Sequence, residues 1–130
     1  MIKLIFDIEP VPASRPRVMR WGVYYLKTYE QFRKDMQSLL LQVKRTLYAE
    51  PLKLDVTFFI RIPKSYSKKK CNELNDKYCV SNMDLDNLEK AIYDSMNGHV
   101  YLDDKQIVEH TTRKKWVKDN PRIEVIIQTL

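Results

Sequence analysis

Leu54-Asp55-Val56-Thr57-Phe58-Phe59-Ile60-Arg61-Ile62-Pro63 is the stretch on which the fold turns. Leu54, Val56, Phe58, Ile60 and Ile62 alternate with Asp55, Thr57, Phe59 and Arg61, the period of two that buries one face of a β-strand. Pro63 ends it, because proline has no N–H for a sheet ladder. Upstream, Ile2, Leu4, Phe6 and Ile8 alternate with polar residues until Pro10, predicting another strand. Pro10, Pro12 and Pro16 then hold the backbone in a stiff, non-helical loop that carries Arg15 and Arg17. A short strand or hairpin from Met19 to Leu26, turning at Gly22, follows. Thr28 with Gln31 three positions on reads as a capping box. Phe32, Met36, Leu39, Leu40, Val43 and Leu47 recur at helical spacing, so a long amphipathic helix is expected to cover a sheet.

Downstream of Pro63, Ser65 to Asn75 reads as a short basic helix or loop. Asp86 with Glu89 forms a second capping-box signature, and Leu88, Ala91, Ile92, Ser95 and Met96 supply the buried face of the helix it opens. Asn97-Gly98 ends that helix, since glycine accepts the left-handed conformation of a C-terminal cap. Gln106 to Val117 and Arg122 to Gln128, joined by the turn Lys118-Asp119-Asn120-Pro121, read as a β-hairpin. The order of elements predicts an α+β fold, a mixed β-sheet with helices packed against it, as a single compact domain over residues 1–130.

Composition narrows the function. Apolar residues make up 44% of the chain and charged ones 31%, which excludes an intrinsically disordered protein. Its apolar runs are a few residues long, far short of the roughly 20 that span a bilayer. The N-terminus lacks the features of a signal peptide, so a cytoplasmic protein is expected. Cys71 and Cys79 have neither CxxC spacing nor a neighbouring His cluster and read as free thiols. His99 and His110 are too far apart in sequence to form a helical metal pair.

The net charge of +6 is unevenly distributed. Pro10 to Lys27 holds four basic residues, among them Arg15, Arg17 and Arg20, and no acid; Arg61 to Asn72 holds five, including Lys68, Lys69 and Lys70, and no acid. Asp84 to Asp104, by contrast, holds six acids and the single base Lys90, a local charge of −5 within a chain whose other residues carry +11. Like charges so close together raise electrostatic self-energy, and solubility does not require them.

Asp84 and Asp86 stand two apart just before a predicted helix, where extended geometry projects both carboxylates to one side. Asn87, Lys90 and Asp94 fall on one helical stripe opposite the buried face, and Asp103-Asp104 adds two carboxylates from a loop. Carboxylates without His or Cys describe an all-oxygen site, which favours Mg²⁺, with Mn²⁺ as a substitute, over zinc or copper. Such a cation in an otherwise basic chain points to a phosphodiester substrate, with Lys90 stabilising the charge of the transition state and the basic loops holding the backbone. Trp21, Tyr24 or Tyr25, beside the arginines, is suited to stacking on an unpaired base. Each piece has a plainer reading: Asp86 as a helix cap, Asp103-Asp104 as a solvated turn, Lys90 and Asp94 as a surface pair, the basic runs as solvated surface. Capping, however, needs one Asp, and here there is a second at i−2 with two more downstream.

The stretch Asp84-Leu85-Asp86-Asn87-Leu88-Glu89-Lys90-Ala91, with Asp94, Asn97-Gly98, the Asp103-Asp104 pair and the early Pro12-Ala13-Ser14-Arg15-Pro16-Arg17, resembles the RusA family of Holliday-junction resolvases. The resemblance covers most of the chain in order and size. It implies a homodimeric, Mg²⁺-dependent endodeoxyribonuclease that makes paired nicks in four-way DNA junctions during recombination and repair, often prophage-borne, with no organic cofactor and no membrane. By position, Asp84, Asp86 and Asp104 match the metal-binding catalytic carboxylates and Lys90 the essential lysine. Asp103 is a further candidate ligand, Asn87 and Asp94 are supporting groups, and Arg15 and Arg17 match phosphate contacts. Tyr66 to Val80, with Lys68 to Lys70 and both cysteines, matches no motif of the family. A non-enzymatic DNA-binding module and a metal-dependent nuclease acting on other branched nucleic acids are the competing readings.

Overall fold

In a computed structural model, described for every residue except Tyr25 and for every side chain except those of Arg17, Val23 and Tyr24, the strand at Leu54 is the centre of the sheet. The elements run β1 (Ile2–Phe6), β2 (Arg17–Met19), β3 (Gly22–Tyr24), α1 (Lys27–Leu40), β4 (Leu52–Arg61), α2 (Lys68–Leu74), α3 (Leu85–Met96), β5 (Ile107–Val117) and β6 (Arg122–Thr129). They group into two units interleaved along the chain. The sheet unit comprises Met1–Pro10, Ala49–Asn82 and Lys105–Leu130; the helical unit comprises Val11–Tyr48 and Met83–Asp104. The α+β class and the mixed sheet are as the sequence predicts.

In the sheet unit the strand order is β1-β6-β4-β5, with β4 parallel to β5 and antiparallel to β6. Register lines up three apolar rows across three strands: Ile2–Ile127–Leu54, Leu4–Val125–Val56 and Phe6–Ile123–Phe58. Leu54, Val56, Phe58, Ile123, Val125 and Ile127 are all buried, so a single face of the sheet carries this core. The expected hairpin of β5 and β6 does not form, because β4 lies between them. The ten-residue β4, with Leu52, Leu54, Val56 and Phe58 wholly buried, gains most from a central position, whereas β5 is exposed over much of its length and takes the edge. That edge is partly covered: Asp76 N donates to Trp116 O, Trp116 N to Lys77 O and Cys79 N to Lys114 O. The segment from Tyr66 to Val80 is therefore stitched to β5, with α2 tied in by Lys118 Nζ donating to Asn72 Oδ1 at 3.0 Å. Cys71 and Cys79 are free thiols.

The opposite face of the sheet carries ion pairs, Lys3 with Glu124 and Asp55 with Arg113 among them. Arg113 donates to both carboxylate oxygens of Asp55, at 2.6 and 3.2 Å, and to Thr57 Oγ1 at 2.8 Å. The guanidinium beside it holds the Asp55 carboxyl below the usual carboxylate range, against a smaller opposing effect of burial. A carboxyl depressed in the fold adds stability above its unfolded pKa and loses it as pH falls through the folded value. The Asp55 side chain is 39% exposed, so screening keeps the contribution to about 0.5–1 kcal/mol. Asp55→Asn should accordingly lower the melting temperature by a constant few degrees from about pH 7 to about pH 5, the gap to wild type closing towards about pH 2. A gap that persists unchanged into strong acid would place the effect elsewhere.

In the helical unit, α1 buries Tyr29, Phe32, Met36 and Leu40 and contacts α3, which buries Leu88, Ala91, Ile92, Tyr93 and Met96. Three local expectations about the helices are corrected. Helix α1 starts at Lys27, behind Leu26 and with no side-chain cap, and Gln31 donates instead to Asp35 Oδ1. It also stops at Leu40, so Val43 and Leu47 fall outside it. The backbone beyond is taken by the turn after α3: His99 Nε2 donates to Val43 O, Thr46 N and Leu47 N donate to His99 O, and Tyr48 N donates to Val100 O. Lastly, the N-cap of α3 is Asp84, with no side-chain cap bond, and Asp86 lies inside the first turn. The end of α3 is as expected, with Asn97 as C-cap and Gly98 at φ 77°, in the left-handed region. The short hairpin β2–β3 runs from Arg17 to Tyr24 rather than from Met19 to Leu26, and turns at Arg20 and Trp21 rather than at Gly22, which pairs with Met19.

Candidate active site

Helix α3 is the spine of the candidate site, which lies within the helical unit. Asp84 and Asp86 stand exposed at its head, Asn87 and Lys90 on its first turns and Asp94 a turn further on. Lys90 Nζ lies 3.3 Å from Asp94 Oδ2. Because the Asp84 carboxylate makes no capping bond and Asp86 is already within the helix, capping explains neither acid.

The loop after α3 turns back on it. Tyr101, fully buried, donates from its hydroxyl to Tyr93 O at 2.7 Å and anchors the return. Asp103 and Asp104 follow, with Asp104 opening a single 3₁₀ turn. Burial first, then hydrogen-bonding contact with Asp103 and Asp94, pushes the Asp104 carboxyl above the usual carboxylate range. The Tyr101 phenol is raised too, by burial and then by the nearby charge of Asp104. Thus Asp104 meets Asp94 from the other side of the Asn97-Gly98 turn, with Asp103 beside it.

The basic loop reaches the same helix. Ala13 N donates to Asn87 O at 2.9 Å, pinning Pro12 to Pro16 over the first turn of α3. Between this loop, α1 and α3 lies a cavity of about 550 Å³ with Arg15, Asn87, Lys90 and Asp94 in its wall. Tyr29, Arg33 and Gln37 of α1 share that wall. Sequence reading passed over Arg33 and Gln37, which stand four apart along the flank of the buried stripe of α1.

The other predicted contacts are dispersed. Arg20 is exposed at the turn of β2–β3, and Trp21 beside it is 74% exposed. The side chains of Arg17 and Tyr24, and Tyr25 altogether, lie outside the described residues. Lys68, Lys69 and Lys70 form the exposed first turn of α2 in the sheet unit, where Ser67 caps the helix and Lys70 Nζ sits 4.2 Å from the centroid of the Tyr66 ring.

The family model described as endodeoxyribonuclease RusA matches residues 7–128, nearly the whole chain and both units. The chain belongs to the RusA endodeoxyribonuclease family. It is also 31% identical over 136 residues to the uncharacterized protein YqaN of Bacillus subtilis (strain 168), covering 98% of this chain and 95% of that one. RusA membership makes the chain an endodeoxyribonuclease, and the acidic and cationic groups gathered along α3 suit phosphodiester chemistry. No helix among the described residues is long and apolar enough to cross a membrane.

A RusA-type metal requirement can be compared with the donors present. The donor chemistry fits a hard divalent cation: carboxylate oxygens, no thiol or imidazole among them, with Asp104 in contact with Asp94 and Asp103. Spacing is looser than the chemistry. Among the described residues, no three His, Cys, Asp or Glu side chains are gathered closely enough to hold one ion between them.

Proposed function

We propose that this RusA-family chain is a structure-selective endonuclease, dependent on Mg²⁺ or Mn²⁺, that resolves four-way DNA junctions by paired nicks as a homodimer. The observation that carries the reading is the placement of Asp84, Asp86 and Lys90 on one helix end, free of capping duty, with Asp103 and Asp104 returning to Asp94 on that helix. Asp84, Asp86 and Asp104 would hold the cation, with Asp103 as a further ligand. When bound, it supplies charge neutralisation at the phosphate and an acidified water.

The chain's own groups do the rest. Lys90 holds positive charge on the same helix face, where it offsets the negative charge that grows on the phosphate as it is attacked. Asp94 holds Lys90 by an ion pair and Asn87 anchors the basic loop through its carbonyl, so both act as positioning groups. Arg15, Arg17 and Arg20 contact backbone phosphates around the cut, and Lys68, Lys69 and Lys70 contact them on α2. Two nicks on opposing strands require two such sites related by a two-fold axis, which a homodimer provides.

A single gel tests the reading. A four-way junction, a fork and a linear duplex of matched length are incubated with the protein, with and without Mg²⁺. Paired nicks in the junction alone, and only with the cation, are expected. Cutting of the fork but not the junction would reassign the substrate, and salt-sensitive binding with no nick in any substrate would leave a DNA-binding module.

A further inference from the structure

We infer that the cavity between the Pro12–Pro16 loop, α1 and α3 is a subsite for a DNA backbone phosphate next to the scissile one, and that Arg33 and Gln37 of α1 are its unassigned contacts. The inference rests on the nuclease reading above and adds a helix that supplies no candidate acid or base to it. Four observations carry it.

The wall is built of donors. Arg15, Arg33 and Lys90 bring three cations against one acid, Asp94, which is ion-paired with Lys90, so the two arginines are left in excess. A site with that balance selects an anion, and the planar fork of arginine matches phosphate in particular. Next, Ser14 also lines the cavity, and its Oγ, shut off from solvent, has no hydrogen-bond partner among the described residues. A buried hydroxyl left so is an unmet polar group beside the cavity, which a phosphate oxygen drawn against the Pro12–Pro16 loop would satisfy. Third, the Arg33 guanidinium lies 5.8 Å from the centroid of the buried Tyr29 ring, a contact that limits where it can point. Gln37, one turn further along α1, adds an amide on the same wall. Finally, the cavity shares Lys90 and Asn87 with the acidic site, so a strand whose scissile phosphate meets Lys90 has a neighbouring phosphate within reach. About 550 Å³ leaves room for that phosphate with its sugar.

Affinity in EDTA, where no cutting intervenes, is the test. Fluorescein-labelled four-way junction and plain duplex are titrated with wild type, Arg33→Gln and the control Lys44→Gln, an exposed cation beyond the end of α1 and outside the cavity wall. Arg33→Gln should bind the junction about tenfold more weakly and lower the slope of log K against log salt by about 0.9, the loss of one phosphate contact, with Lys44→Gln within about twofold of wild type. A junction series with one neutral methylphosphonate at each position around the cut should show a single position where wild type loses affinity and Arg33→Gln loses none. Arg33 is exposed, so the variant should fold; should it not, Arg33→Lys is scored instead, expected to keep the salt slope while losing about threefold in affinity with the fork. The subsite is overturned if Arg33→Gln matches Lys44→Gln, if every methylphosphonate affects wild type and variant alike, or if wild type has no measurable affinity for DNA. Junction cutting by wild type in Mg²⁺ is read separately: binding without nicks counts against the nuclease reading and leaves the subsite judged on affinity.

Discussion

Asp86→Asn is expected to slow single-turnover cleavage of a four-way junction in Mg²⁺ by about 10³-fold or more, a loss of about 4 kcal/mol of transition-state stabilisation. Binding of the uncut junction should stay level or tighten, because one negative charge has gone from a surface that phosphates must approach. The fold should hardly register the change. Asp86 is exposed in the first turn of α3, where a carboxylate stabilises a helix by about 0.3–1 kcal/mol through the macrodipole. Several kcal/mol of rate against less than one of stability separates a catalytic from a structural role. A variant that cuts at the wild-type rate would remove Asp86 from the site, and one that neither cuts nor folds would return it to the helix.

Lys90→Ala carries the next largest effect: a cleavage rate lower by about 10²–10³-fold, the scale seen when one preorganised donor is taken from a developing oxyanion. Its alternative is specific. Lys90 and Asp94 form an exposed i,i+4 pair, with side chains 65% and 39% exposed, and such pairs contribute a few tenths of a kcal/mol to stability. If that pair were the whole purpose of Lys90, the alanine variant would melt a degree or two lower and cut normally. Single-turnover rates at saturating enzyme distinguish the two, since they exclude the modest loss of DNA affinity expected when one cation leaves the surface.

Much of the candidate site was legible before the fold. Acidic Asp84 to Asp104 against a basic remainder, two Asp at spacing two ahead of a helical pattern, and Lys90 on the stripe with Asn87 and Asp94 are local features, and the helix places them where its period requires. The capping assignments were less secure. Thr28 and Asp86 both offered the right residue type, but the backbone of each helix begins one or two residues earlier, and the decision rests on hydrogen bonds that residue type alone does not determine. Arg33 and Gln37 escaped because a polar helix face ordinarily meets water; what distinguishes theirs is a loop pinned to another helix some fifty residues away.

By itself the sequence determined that Leu54 to Ile62 is a strand and that the stretch after Asp86 is a helix, because the period of two in the one and of 3.6 in the other follow from backbone geometry in each segment alone. It also determined the chemistry available along α3, since carboxylate, ammonium and guanidinium groups keep their character wherever the chain carries them. Only the tertiary structure decided that β4 separates β5 from β6, because alternation says that a strand has a buried face and nothing about its neighbour. Only the tertiary structure, likewise, ended α1 at Leu40, where contacts with the turn after α3 outcompete a helical pattern that runs on to Leu47. The same turn returns Asp104 to Asp94, and the burial and carboxylate contacts that raise the Asp104 carboxyl exist only once the chain has closed that distance.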